Sequence, residues 1–152
     1  MNPTSNIGYL LQHLSGVLAK QSDQALQERL GIGFSQFKRL MCLQANPATQ
    51  QKVVADSLGQ TEASISRQIK LMHDKSLLQT QINPKNRREH LTIPTAKGIR
   101  MAEEALRILN EHHGPMFERL SEKQRSQLLD TLATMHDYSC QPGKTGACQQ
   151  TE

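Results

Sequence analysis

Apolar residues recur at Ile7, Leu10, Leu11, Leu14, Val17 and Leu18, and again at Ala25 and Leu26. Spacings of three and four place them on one face of a long helix. The stripe predicts a helix from Ser5 to about Leu30, broken at Gly31 to Gly33. A second helix follows, with Phe37, Leu40 and Met41 on one face. It ends at Asn46-Pro47, because the residue before a proline resists helical geometry. Thr49 is a suitable N-cap for a short third helix carrying Val53, Val54 and Leu58, which Gly59 stops. Thr61 caps the next helix, whose Ile65, Ile69 and Met72 fall on one buried face.

The period then changes. Leu77 to Ile82 and His90 to Ile93 are short β-prone runs around the polar Asn83-Pro84-Lys85-Asn86, which predicts a hairpin. Thr95 caps another helix with Ile99, Leu106, Ile108 and Leu109, running to about His113, where Gly114-Pro115 interrupts it. Ser121 with Gln124 forms a capping box for a last helix through Leu128, Leu129, Leu132 and Met135. Beyond Ser139 the chain has almost no apolar residues, the composition of a flexible tail over residues 139–152. No repeat or linker divides what precedes it. The expectation is a single domain over residues 1–138, mainly α with a small β-wing.

Composition adds one constraint. Hydrophobic residues make up 36% of the 152 and there is no Trp, a modest supply for a private core. Helices at the two ends of the chain that finish their packing on a second copy would meet that shortage. No stretch approaches the roughly 20 apolar residues of a membrane span. The polar start lacks the order of a signal peptide. The three cysteines, Cys42, Cys140 and Cys148, form no C-x-x-C pair. A cytoplasmic, non-membrane protein is expected.

The net charge of +4 is small, but it is concentrated. Between Asn46 and Gly98 there are eight Lys/Arg against four Asp/Glu, and elsewhere ten of each. A local cationic excess is the electrostatic footprint of a phosphate-binding surface, although a solvated charged face has the same composition.

Ala55, Gly59 and Ile65 sharpen this picture, since they stand at the relative positions a helix-turn-helix requires. A small residue lets the helices cross, a glycine takes the positive φ of the turn, and a branched residue fills the space between them. The second helix of such a unit can enter a major groove. Its outward residues would be Thr61, Glu62, Ala63, Ser64, Arg67 and Gln68, and Ser66 and Lys70 complete the candidate DNA-binding set on this helix. Arg can grip a guanine edge with two hydrogen bonds and Gln an adenine edge. Thr61 and Ser64 suit phosphate contacts, or caps alone. Lys85, Arg87 and Arg88 are placed at the hairpin tip, where long cations can reach a narrow minor groove.

These motifs resemble the MarR family. The run Leu30-Gly31-Ile32-Gly33-Phe34-Ser35-Gln36-Phe37-Lys38-Arg39-Leu40 is similar to its L-G-L-T-x-x-Q-F-x-x-L opening. Ile65 to Met72 followed by Leu77-Leu78 is similar to its recognition helix. Asn83 to Arg88, followed by Leu91-Thr92-Ile93-Pro94-Thr95-Ala96-Lys97-Gly98, is similar to its wing. The resemblance covers about Ile7 to Tyr138. It implies a winged helix-turn-helix with N- and C-terminal dimerisation helices (5–30 and 95–138) around a DNA-binding lobe (34–94). It also implies a homodimer on a near-palindromic operator in double-stranded DNA, more often a repressor than an activator. There are two departures: Gly33 stands where the family has a Ser/Thr cap, and Asn86 where an acidic residue often pairs with the wing arginines.

The signal that releases such a regulator is open at this level. A small-molecule effector in the cleft between lobe and dimer helices is one candidate, with Tyr9, His13, Phe37 and Met41 as lining. An oxidant acting on Cys42, Cys140 or Cys148 is another. The peroxide-sensing branch of the family uses a cysteine on the first helix, and this chain has none there, but Lys38 and Arg39 lie one turn before Cys42. His112, His113, Glu111 and Cys42 lack the spacing of a metal site. His112 and His113 are expected as solvated residues at a helix end. No cofactor is expected, and no nucleophile–base or paired-carboxylate set marks an enzyme. A winged-helix module that binds only proteins is the alternative function.

Overall fold

The computed structural model describes residues 5–45, 55 and 59–141. Its elements run α1 (Ile7–Leu30), α2 (Phe34–Ala45), α3 (Glu62–Asp74), β1 (Leu78–Asn83), β2 (Asn86–Pro94), α4 (Ala96–Glu118) and α5 (Glu122–Ser139). The short helix expected after Thr49 lies outside the described residues except for Ala55, which is helical. Most of the expected tail, Cys148 included, also lies outside them.

One core joins the middle of the chain. Leu26 of α1, Leu40 and Leu43 of α2, Ile65 and Met72 of α3, Leu77 and Leu78, and Ala105 and Ile108 of α4 are almost fully buried together. Burial of each large side chain contributes roughly 1.5–3 kcal/mol. The small residues of α4 permit close approach, and Gly98 is the extreme case. A Cβ there would run into the backbone carbonyl of Leu77, which is already fixed by the Thr95 N–H at 3.0 Å. The Thr95 hydroxyl caps α4 by accepting from the Gly98 N–H, and it donates to the Ser76 carbonyl at 2.7 Å. One side chain therefore ties the start of α4 to the end of α3.

The caps read from sequence are present at Thr61, Thr95 and Ser121, the last as a full capping box with Gln124. The start of α2 is capped differently. Gly33 brings no side chain, and Asp23 reaches across from α1 to accept the Phe34 N–H at 2.8 Å. Gln36 Oε1 accepts the Gly33 N–H at 3.2 Å.

Several expectations need correction. The α1 stripe, read as one face of a long helix, divides between two environments: Ser22, Ala25 and Leu26 are buried, while Ile7 and Leu14 at its N-terminal half are exposed. Met41 points outward from α2, and Leu43 takes the place expected of it. On α4 the buried face is Gly98, Ala102, Ala105, Ile108 and Leu109, leaving Ile99 and Leu106 exposed. Gly114-Pro115 does not end that helix, which continues to Glu118. Proline cannot donate to the Glu111 carbonyl. Beyond it, however, Met116 and Phe117 line an apolar cleft against α1, and Glu111 is itself anchored by Arg29 at 2.9 Å. Helix α5 has no buried residue at all, and an amphipathic helix that buries nothing lacks its main source of stability.

Candidate nucleic-acid interface

The helix-turn-helix spacing closes as expected. Ala55 is buried, Gly59 takes φ 60° and Ile65 is fully buried. The Gln60 N–H donates to the Ala55 carbonyl at 2.9 Å, which seals the turn. The Thr61 hydroxyl accepts the Ser64 N–H at 3.2 Å, so Thr61 is a cap. Burial of Ile65, Ile69 and Met72 turns the opposite face of α3 outward. Ala63, Ser66, Arg67 and Lys70 are exposed there, whereas Ser64 and Gln68 are half-buried at its margins. Gln68 is therefore less open than expected, because it lies close to the buried stripe around the helix. The helix also offers Leu71, exposed beside Lys70, which the sequence pattern did not mark.

The wing departs from a simple hairpin. Ile82 pairs with His90 but Asn83 pairs with Asn86, so residues 87–89 have no counterpart on β1. The tight turn is Pro84-Lys85, and Arg87 and Arg88 belong to a bulge of β2 beside it rather than to the tip itself. Two Asn side chains shape this end. Asn83 Oδ1 accepts the Lys85 N–H at 2.9 Å and Asn86 Oδ1 accepts the Arg88 N–H at 3.2 Å. Asn86, a departure from the family pattern, thus serves the backbone. Lys85, Arg87 and Arg88 are all exposed. Among the described residues no carboxylate forms an ion pair with them, nor with Arg67 or Lys70.

The four residues expected to line an effector pocket are not brought together. Tyr9 stacks on His13 with ring centroids 5.8 Å apart on exposed α1, Phe37 is in the core against Phe34, and Met41 is exposed. A cleft of about 790 Å³ lies elsewhere, between α1, the start of α2, the end of α4 and α5. Leu11, Leu14, Leu18, Phe34, Phe117 and Leu132 give it apolar walls. Its polar groups are Lys38, Ser15, Ser22 and His113. Buried Ser22 Oγ lies 3.0 Å from His113 Nε2, so His113 is a half-buried, hydrogen-bonded residue within α4 and not a solvated one at a helix end. Leu11, Ser15, Leu18 and Ser22 repeat at three to four residues, a signal hidden because serines interrupt the apolar stripe.

Desolvation, and secondarily the neighbouring His112, hold the His113 pKa below its ordinary value of 6.5. A histidine whose folded pKa is depressed contributes stability above its unfolded pKa, and that contribution is lost as pH falls below about 6.5. Thermal melts at pH 7.5 and 5.5 should show a drop in Tm that is smaller by a few degrees in His113→Gln than in the wild type. Equal drops in both would contradict this assignment.

Two of the three cysteines, Cys42 and Cys140, lie among the described residues. Cys42 is a half-buried thiol on α2. Of the cations one turn earlier, Lys38 Nζ sits 5.4 Å from the Phe34 ring centroid and Arg39 reaches Gln60. Cys140 caps the end of α5, its N–H donating to the His136 carbonyl. Among the described residues no three His, Cys, Asp or Glu side chains converge as metal ligands would, and no helix is long and apolar enough to cross a membrane.

No family model matches the sequence, and no curated protein matches it. Solved structures do. MarR of E. coli in its apo form aligns with a TM-score of 0.77 at 18% identity, over 86% of this chain and 96% of that one. A MarR-family transcriptional regulator from Rhodococcus sp. RHA1 aligns at 0.75 with 22% identity, over 87% and 94%. CouR, a transcriptional repressor bound to a 23-mer DNA duplex, aligns at 0.74 with 24% identity, over 87% and 93%. CouR has also been solved from Rhodococcus jostii RHA1 with p-coumaroyl-CoA. At these identities the likeness establishes the fold: a mainly α winged helix of the kind found in MarR-family transcriptional regulators.

Proposed function

We propose that this chain is a MarR-type transcription regulator that binds double-stranded DNA as a homodimer. Residues 34–94 would form the DNA-binding lobe, and residues 5–30 and 95–138 the dimerisation helices, of one domain over residues 1–138. The observation that carries this reading is the open cationic face of α3. Ile65 and the Gly59 turn hold the helix against the body while Arg67 and Lys70 stay exposed and without an ion pair among the described residues. Arg67 then reads a base edge in the major groove, with Ala63, Ser66, Lys70 and marginal Ser64 and Gln68 beside it, and Thr61 serving the helix start. Lys85, Arg87 and Arg88 supply wing contacts to the minor groove and its phosphates.

The dimer is supported by the apolar surface the single chain leaves open. Ile7 is 72% and Leu129 70% exposed, and Leu14, Leu128, Leu132 and Met135 are exposed with them. A second copy presenting the same face would cover it by two-fold symmetry and set two recognition helices one DNA turn apart. A near-palindromic operator follows from that symmetry. We take repression in the cytoplasm as the mode of action, released by a small-molecule effector or by thiol oxidation.

Titrations against a duplex selected from random DNA test the reading. Arg67→Ala should weaken binding by about 1–3 kcal/mol and relax preference at one base position. Arg87→Ala with Arg88→Ala should weaken binding to all sequences and flatten its salt dependence by about two phosphate contacts. If these variants match the wild type at every salt concentration, a winged-helix module that binds proteins is the better account.

A further inference from the structure

We propose that Arg39 is a positioning residue for the recognition helix, fixing Gln60, the residue that leads into it, from the buried side of α2. The proposal rests on the DNA-binding reading above and adds a residue that itself touches no DNA. Arg39 is 1% exposed, and its Nη2 donates to Gln60 Oε1 at 2.5 Å. The backbone of Gln60 closes the turn by donating to the Ala55 carbonyl. The next residue, Thr61, caps α3. The orientation of α3 at its N-terminus, the end that meets the groove, is therefore set partly by a guanidinium rooted in another helix. Guanidinium suits this task because its planar fork donates in fixed directions, whereas an ammonium on a flexible stem does not.

Stability is a poor reason for such a residue. A buried charge is costly unless its partners are complete, and an apolar side chain of similar volume often serves the folded state as well or better. Among the described residues Arg39 Nε and Nη1 have no hydrogen-bond partner, and no carboxylate forms an ion pair with it. Desolvation accordingly lowers its pKa from the ordinary arginine value. The incomplete pairing points to a directional role: one donor is used, and it is used on the segment that aims the reading head.

The test uses the full chain and four variants: Arg39→Met, Gln60→Leu, both together, and Gln60→Glu. Each is titrated, over a range of salt, against the duplex the wild type selects from random DNA and against a scrambled duplex of equal length. Arg39→Met and Gln60→Leu should each weaken the selected duplex roughly tenfold, the scale of one hydrogen bond to a charged group. Binding to the scrambled duplex and the salt slope should stay at wild-type values, since no phosphate contact is lost. The double variant should be no weaker than either single one, because both remove the same link. Gln60→Glu keeps an acceptor and should bind within about twofold of wild type. Arg39→Met should melt at or above the wild-type temperature. Gln60 is only half-buried, so Gln60→Leu carries the test if Arg39→Met fails to fold. Selected-duplex binding within about twofold of wild type in both single variants overturns the role of Arg39. So does an equal loss on both duplexes that tracks a loss of Tm. A wild type that selects no duplex overturns the DNA-binding reading itself, and this proposal with it.

Discussion

Introducing aspartate at Leu129 and Ile7 together is expected to leave each subunit folded but to reduce operator affinity about a hundredfold or more. Both side chains are largely exposed in the single chain, so neither change removes a core contact, and at an ordinary surface site each would shift stability by about 0.5 kcal/mol at most. In a dimer built on this face, each aspartate would be buried without a partner, twice by symmetry. Separating the copies turns the second docking event from an intramolecular into a bimolecular one, and effective concentrations are commonly worth a factor of about 10²–10⁴. Circular dichroism should report the core helices retained, with any loss no larger than α5, which buries nothing in the single chain, while sedimentation should report the single subunit. A double variant that remains dimeric and binds DNA as the wild type does would place the dimer contact elsewhere.

The second large effect is expected at Gly98. Its backbone lies against the Leu77 carbonyl, where a Cβ would overlap a main-chain atom and not the movable end of a side chain. The carbonyl cannot easily retreat, because it accepts from the Thr95 N–H at 3.0 Å and Leu77 and Leu78 are both core residues. Gly98→Ala should cost about 2–4 kcal/mol as an overpacking defect, lowering Tm by roughly 5–20 °C. Gly16 is the control. It lies inside α1 with open space around its Cβ position, so Gly16→Ala should be neutral or raise stability by up to about 1 kcal/mol. A Gly98→Ala protein that melts within about 2 °C of wild type would contradict the close packing of α4 on the start of β1.

Much of the fold was legible because local chemistry and long-range packing agree in it. Thr61, Thr95 and Ser121 cap the helices whose apolar periods begin just after them. Ala55, Gly59 and Ile65 are read by size and permitted φ, which are properties of the residue itself. What stayed hidden depends on residues distant in sequence. The cap of α2 comes from Asp23, eleven residues before the Phe34 N–H it accepts. Pro115 reads locally as a stop, but the helix continues past it to Glu118, where Met116 and Phe117 line a cleft that α1 also lines.

The site divides the same way. Arg67 and Lys70 are exposed because Ile65, Ile69 and Met72 face the core, and periodicity alone predicts that. The bulge that lifts Arg87 and Arg88 off the β ladder depends on register, which a polar run of residues does not specify. The cleft between α1, α4 and α5 is not marked by any local run of residues. Its polar centre is a serine on α1 and a histidine far along the chain on α4, joined only when those helices pack.

The central claim is that two copies of this chain grip one duplex. Its most direct measurement is the sedimentation of the purified chain at low ionic strength, alone and with a duplex recovered by selection from random DNA. A two-subunit particle that moves onto the duplex as two chains per site is the predicted result. A lone subunit that leaves every duplex free in solution would contradict it.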